Sequence, residues 1–172
     1  TGTSTVTVTA TDAAGNRSTA TFTVTVTAPA LPAPWSIRQI QPYSGVTAGS
    51  ATVLSANSFR IVGAGGSSSG GTTGDIWTGD NDSFTFVSMP WVGDGTFTAR
   101  LASFTSTDAS AKAGIMFRQI PDKGSPYSMT YLLRKGDAWA QHKTALHGGS
   151  TNVNFFTASS TGKGIPYWIR LV

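Results

Sequence analysis

Residues 3–27 alternate between threonine and apolar side chains almost without interruption. Val6 and Val8 interleave with Thr5, Thr7 and Thr9, and Ala20, Phe22, Val24 and Val26 interleave with the threonines from Thr19 to Thr27. A period of two in β-branched residues marks strands with one face buried. Between the runs, the segment from Asp12 to Ser18 contains Gly15 and Asn16, which suit a turn with positive φ, so the pattern predicts a β-hairpin. A lone hairpin is marginal in water, which predicts a larger β body that begins before Thr1.

Three prolines, Pro29, Pro32 and Pro34, then fall within six residues. They predict an extended linker and a domain boundary. The expected organisation is a hairpin over 1–28, a linker over 29–34 and a second domain over 35–172. From Trp35 the chain reads as short strands separated by Gly-, Ser- and Asp-containing turns. The expected strands are 35–41, 51–54, 58–63, 82–89, 95–104, 112–119, 127–135, 138–144, 151–157 and 166–172. Phe97, Ala99 and Leu101 alternate with Thr96, Thr98 and Arg100, and Ala113, Ile115 and Phe117 alternate with Gly114, Met116 and Arg118. No stretch has helical spacing of apolar residues. Many short strands with frequent turns predict an all-β fold, a sandwich or barrel.

Composition narrows the chemistry. Charged residues make up 12% of the 172, well under the roughly 25% of an average soluble domain. Nine Phe, 5 Trp and 4 Tyr still supply a core and argue against disorder. No apolar run is long enough for a membrane-spanning helix, so membrane insertion is not expected. Cysteine is absent, which removes disulfide scaffolds, thiolate metal sites and cysteine nucleophiles. All 8 acidic residues are Asp, which removes the glutamate pairs of most glycoside hydrolysis and leaves an Asp pair formally open. The net charge of +4 arises from scattered cations, with Arg134-Lys135 the only adjacent pair. A phosphate-binding surface needs several cations on one face, so no nucleic-acid partner is expected.

Asp75, Asp80 and Asp82 fall within eight residues, beside Asn81. Oxygen ligands on a flexible turn suit calcium, although the twelve-residue calcium-loop pattern is missing. The alternative is that Asp80 and Asp82 shape a turn while Asp75 accepts backbone N–H groups. Aromatic faces stack on the C–H faces of sugars, with polar neighbours fixing orientation. Trp139, with Gln141 at the same strand parity, is the first candidate for glycan contact, followed by Trp77, Trp91 and Tyr131. For each, core packing is the alternative. Arg118 offers a planar fork to a sugar or carboxylate, or pairs with an Asp. Trp168, between Tyr167 and Ile169, and Trp35, at the end of the linker, read as structural. The Gly66–Gly70 stretch matches G-x-S-x-G without the following helix that motif requires. His142 and His147 read as surface residues.

Two segments resemble known families. TVTVTATDAAGNRSTATFTVTV (5–26) is similar to the last two strands of bacterial immunoglobulin-like and hyalin-type repeats, which act as spacers or adhesive modules. GDIWTGDNDSFTFV, GDGTFTARLASF, AKAGIMFRQ and PYWIRLV, in that order, resemble a concanavalin-A-like jelly-roll family of bacterial secreted proteins, often appended to glycoside hydrolases. Asp75, Trp77, Asp82 and Arg118 occupy positions of that family's motifs. In the family, further strands follow the last motif, so the resemblance implies an unfinished sandwich at Val172: either the sequence is a fragment, or strands from a neighbouring chain complete the edge. Together these readings lead to an expectation: a secreted or cell-surface, non-catalytic carbohydrate-binding accessory module whose partner is a polysaccharide or cell-surface glycan. The alternative is a structural or adhesive module of a surface protein or filament.

Overall fold

The computed structural model describes residues 2–26, 30–40, 48–63, 75–106, 108–157 and 165–172. Its elements are strands throughout: β1 (Gly2–Thr11), β2 (Arg17–Val26), β3 (Ser36–Ile40), β4 (Ser50–Ser55), β5 (Ser58–Val62), β6 (Phe84–Ser88), β7 (Phe97–Leu101), β8 (Lys112–Arg118), β9 (Tyr127–Leu133), β10 (Ala138–Lys143), β11 (Thr151–Phe156) and β12 (Tyr167–Leu171). The chain is all-β, and every strand run expected from the sequence overlaps one of these elements. The Gly66–Gly70 stretch lies outside the described residues.

Strand ends differ from expectation where backbone groups are needed elsewhere. β9 stops at Leu133 because Leu133 and Asp137 close a turn, with Leu133 N–H donating to Asp137 O at 2.9 Å and Gly136 N–H to Leu133 O at 2.7 Å. β6 begins two residues late because Asp82 is engaged as a side-chain acceptor and Ser83 N–H is given to Asp75 O at 2.6 Å.

β1 and β2 pair antiparallel with Val6 opposite Phe22 and Thr7 opposite Thr21, so one face carries threonine and the other is mainly apolar. Asp12 builds the turn: its Oδ1 accepts the Ala14 and Asn16 N–H groups at 2.9 Å each, and its Oδ2 accepts the Asn16 amide at 2.8 Å. Gly15 takes φ of 85°, which only glycine adopts without cost. The expectation of a buried face is not met, because both faces of this hairpin are exposed.

The central element is an antiparallel sheet in the order β11-β10-β9-β8. Its register fixes two faces. On one, Ile115 and Phe117 pack against Ile169, Leu171, Phe97, Ala99 and Tyr167 of the β12–β7 pair, forming a sheet-on-sheet core. β3 pairs with β6 and β4 with β5. Trp35 lies against Phe59, with centroids 5.3 Å apart, and Phe97, 6.4 Å away, where the proline segment meets the body.

Trp168 departs from its structural reading. Ile169 and Leu171 take the buried side of β12, so parity puts Trp168 outside, 65% exposed.

This parity gives a first prediction. Ile169→Ala removes a buried side chain from the interlayer core and is expected to cost about 2–5 kcal/mol. Arg170→Ala, one position on but outward, is expected to stay within about 0.5 kcal/mol. Urea denaturation of the two variants checks the difference, and equal losses would refute the assigned faces.

Candidate functional site

The second face of the central sheet carries the sequence candidates, in three ranks that cross the strands. The register aligns Gly114, Tyr131, Trp139 and Asn154 in one rank, Met116, Met129, Gln141 and Asn152 in the next, and Arg118, Tyr127 and Lys143 in the third. The segment 75–84 folds over this face. Ile76 packs there with Tyr127, Met129, Tyr131 and Leu133, and Phe84, Met116 and Trp139 border the cluster.

Asp82 anchors that segment. It is fully buried, and its Oδ2 meets Arg118 Nη2 at 2.5 Å, the Gly124 N–H at 3.1 Å and Lys143 Nζ at 3.4 Å. Its Oδ1 accepts the Trp77 N–H at 3.3 Å. Lys143 also donates to Gly79 O at 2.7 Å, and Arg118 donates to the Asp122 and Ile120 carbonyls. One carboxylate thus serves two buried cations. The Tyr127 ring lies 5.5 Å from the Arg118 guanidinium and 5.3 Å from Lys143 Nζ, so its electron-rich face offsets part of the surplus positive charge. Burial, and secondarily the Asp82 carboxylate, push the Tyr127 hydroxyl far above the ordinary phenol range.

A third cation, Lys112, fixes the other end of the segment. Its Nζ contacts Asp75 Oδ1 at 2.5 Å and donates to Ile76 O at 3.1 Å. It stands 5.2 Å from the Trp77 ring and 5.5 Å from the Tyr131 ring. Trp77 is held by this contact and stays 42% exposed, while Tyr131 is buried beneath. Burial, followed by the Asp75 charge, pushes the Tyr131 hydroxyl up to about 12.

At the surface, Asp80 pairs with His147 Nδ1 and with Lys123 Nζ at 3.8 Å. The bond from His147, more than any charge effect, holds the Asp80 carboxyl below its usual range. His147 adopts φ of 56°, and Gly124 beside it φ of 69°. A Cβ on Gly124 would come within 2.5 Å of both Asp80 Oδ1 and His147 Nδ1, so only glycine fits this contact.

The three carboxylates singled out for calcium therefore go separate ways: Asp75 to Lys112, Asp80 to His147 and Lys123, Asp82 to Arg118 and Lys143. Among the described residues, no group of three His, Asp, Glu or Cys side chains is gathered to hold a metal ion. Arg118 follows its alternative reading as an Asp partner, and its side chain is almost wholly buried. Tyr131 belongs to the core. Trp91, half exposed, lies 6.1 Å from Phe117 and covers Gly95.

Beyond the ion pairs, on the β10–β11 side, the face is polar. Gln141 is 1% exposed and donates to Ser150 Oγ at 3.3 Å. Its Oε1, the indole Nε1 of Trp139 and Oδ1 of Asn152 are buried and find no hydrogen-bond partner among the described residues. Gln141 and Asn152 are cross-strand partners, as are Trp139 and the exposed Asn154. Buried polar atoms are nearly always satisfied in folded proteins. These three atoms at adjacent register positions, with the Tyr127 hydroxyl in the next rank, are exceptions to that rule on one face of the sheet.

The sequence reading missed Lys112, Lys143 and the two asparagines. The parity that joined Trp139 to Gln141 extends to Lys143, and Asn152 and Asn154 alternate with Val153 and Phe155, so the signal was present. No known protein family, no curated protein and no solved structure matches the chain.

Asp82→Asn is expected to cost about 3–5 kcal/mol, because it leaves Arg118 and Lys143 buried without a counter-charge. Chemical denaturation of the variant checks this, and a loss below about 1 kcal/mol would disprove the central role of the carboxylate. Tyr131 gives a pH prediction. Its folded-state hydroxyl titrates at about 12, above the roughly 10 of an unfolded phenol. The stability linked to the neutral phenol is therefore complete below about pH 10 and declines as pH rises towards the folded value. Spectrophotometric titration is expected to show a component near 12 that Tyr131→Phe removes.

Proposed function

We propose that this chain is a non-catalytic carbohydrate-binding accessory module of a secreted or cell-surface protein, with a concanavalin-like sandwich as its framework. The observation that carries this reading is the set of unpaired polar atoms on Trp139, Gln141 and Asn152. A polyol supplies donors and acceptors at short intervals, which is what an indole N–H and two amide oxygens require. Asn154 at the rim and the partly buried Trp139 provide a hydrogen-bonding group and an apolar edge for the same ligand. Trp77, held by Lys112 and exposed, is a second platform at the β8 end of the face. Arg118 and Tyr131 support the site from beneath, without touching the glycan. Single-site affinity is weak in such an arrangement, so retention on a polysaccharide depends on several modules acting together.

A second reading, a structural or adhesive module, draws on the β1–β2 hairpin. Its threonine-free face exposes Val6, Val8, Phe22, Val24 and Val26, an apolar surface suited to packing against another β layer.

Affinity electrophoresis against a panel of neutral soluble polysaccharides tests the binding reading. Retardation by one glycan, reduced about tenfold in affinity by Asn154→Ala or Trp139→Phe with unchanged melting, is the expected outcome, equivalent to about 1.4 kcal/mol. A folded, monodisperse protein that no neutral glycan retards would remove the binding reading and leave the adhesive one.

A further inference from the structure

We propose that the outer face of the β7–β12 pair is a second binding surface, specific for polysaccharides that carry carboxylates. Strand parity creates it. Phe97, Ala99, Tyr167, Ile169 and Leu171 turn into the core, which sends Thr98, Arg100, Trp168 and Arg170 outward, all four exposed. Trp168 stands directly opposite Arg100, and Arg170 opposite Thr98. The two guanidinium-bearing residues are therefore diagonal neighbours, with Cα atoms about 7–8 Å apart and the indole beside both.

Among the described residues neither Arg100 nor Arg170 takes part in an ion pair; Arg17, Arg38, Arg60 and Arg134 share this, but only Arg100 and Arg170 flank an exposed indole on one sheet face. Neither β7 nor β12 contains an acidic residue. Trp168 is the most exposed tryptophan among the described residues. A large indole left in water between two unneutralised arginines complements a ligand that is apolar on one face and anionic at its edge. A sugar ring with a carboxylate has that character: the C–H face stacks on the indole, and the carboxylate accepts the planar fork of a guanidinium in two parallel hydrogen bonds. A polymer of such rings presents carboxylates at regular intervals, one for each arginine. Single-stranded nucleic acid fits less well, because it calls for several stacking side chains and a longer cationic track than one indole and two arginines supply.

This surface lies on the β7–β12 layer, separate from the Trp139 patch, and does not depend on it. Polygalacturonate is the probe, with dextran as neutral control and an oligothymidylate as anionic control. Retardation by polygalacturonate is expected to exceed that by either control and to weaken with added salt. Trp168→Ala is expected to lower affinity for polygalacturonate about tenfold, and the Arg100→Gln/Arg170→Gln double variant at least as much. Trp139→Phe is expected to leave it unchanged. All three outer positions are exposed, so melting temperatures are expected to match the parent. Equal retardation by the oligothymidylate, retention unaffected by the double variant, or no retention on polygalacturonate would each overturn the proposal. A loss confined to Trp139→Phe would assign any acidic-glycan binding to the other face.

Discussion

Everything on the patterned face of the central sheet depends on how one carboxylate is satisfied. Asp82 has no contact with water, and it ties together four parts of the chain: its own loop through the Trp77 N–H, β8 through Arg118, the 119–126 loop through the Gly124 N–H, and β10 through Lys143. A buried charge is tolerated only when paired and hydrogen-bonded. Placing two cations on one anion would leave a surplus, and the ring of Tyr127, within reach of both, spreads it. With that anchor in place, segment 75–84 lies over the β8–β9 half of the sheet and leaves the β10–β11 half polar. Lys112 repeats the logic at the opposite end, where Asp75 and two aromatic rings surround an ammonium.

The three ranks form a gradient across the face. Aromatic and thioether side chains occupy the middle of the face, ion pairs its two ends, and amides the edge strand β11. The opposite layer is simpler. One side of β12 is buried apolar packing, and the other is an indole flanked by guanidinium groups. The two surfaces thus differ in kind, one built of neutral amides and the other of unpaired cations in the open.

Strand positions were legible in the sequence because a period of two needs only local information. Runs such as 112–119 and 166–172 announced both the strand and the parity of each residue. What the parity meant was less legible. Trp168 alternates as a core residue would, yet Ile169 and Leu171 claim the inner side. The fate of the carboxylates was beyond local reading, since Asp82 meets partners 36 and 61 positions away. Eight residues containing Asp75, Asp80 and Asp82 suggest a shared ligand only while their cations are unknown. Lys112 takes Asp75, Arg118 and Lys143 take Asp82, and His147 and Lys123 take Asp80, a division that depends on how the loop lies on the sheet. The hairpin illustrates the reverse case. Its alternation was read correctly as strands, but burial of its apolar face requires a neighbour that pairing between β1 and β2 cannot supply.

The edge strand β11 carries two different surfaces on one backbone. Asn152 and Asn154 share the face of Gln141 and Trp139, whereas Val153 and Phe155 occupy the intervening positions and are largely exposed. The irregularity between Ala138 and Trp139 sets which pair meets β10. Since successive side chains point to opposite faces, a slip of one residue would replace both amides by a valine and a phenylalanine without altering the composition of the strand. A polar edge would become an apolar one. A single insertion or deletion near this edge would therefore invert the polarity of the edge in one step, leaving the β8–β10 portion of the sheet untouched.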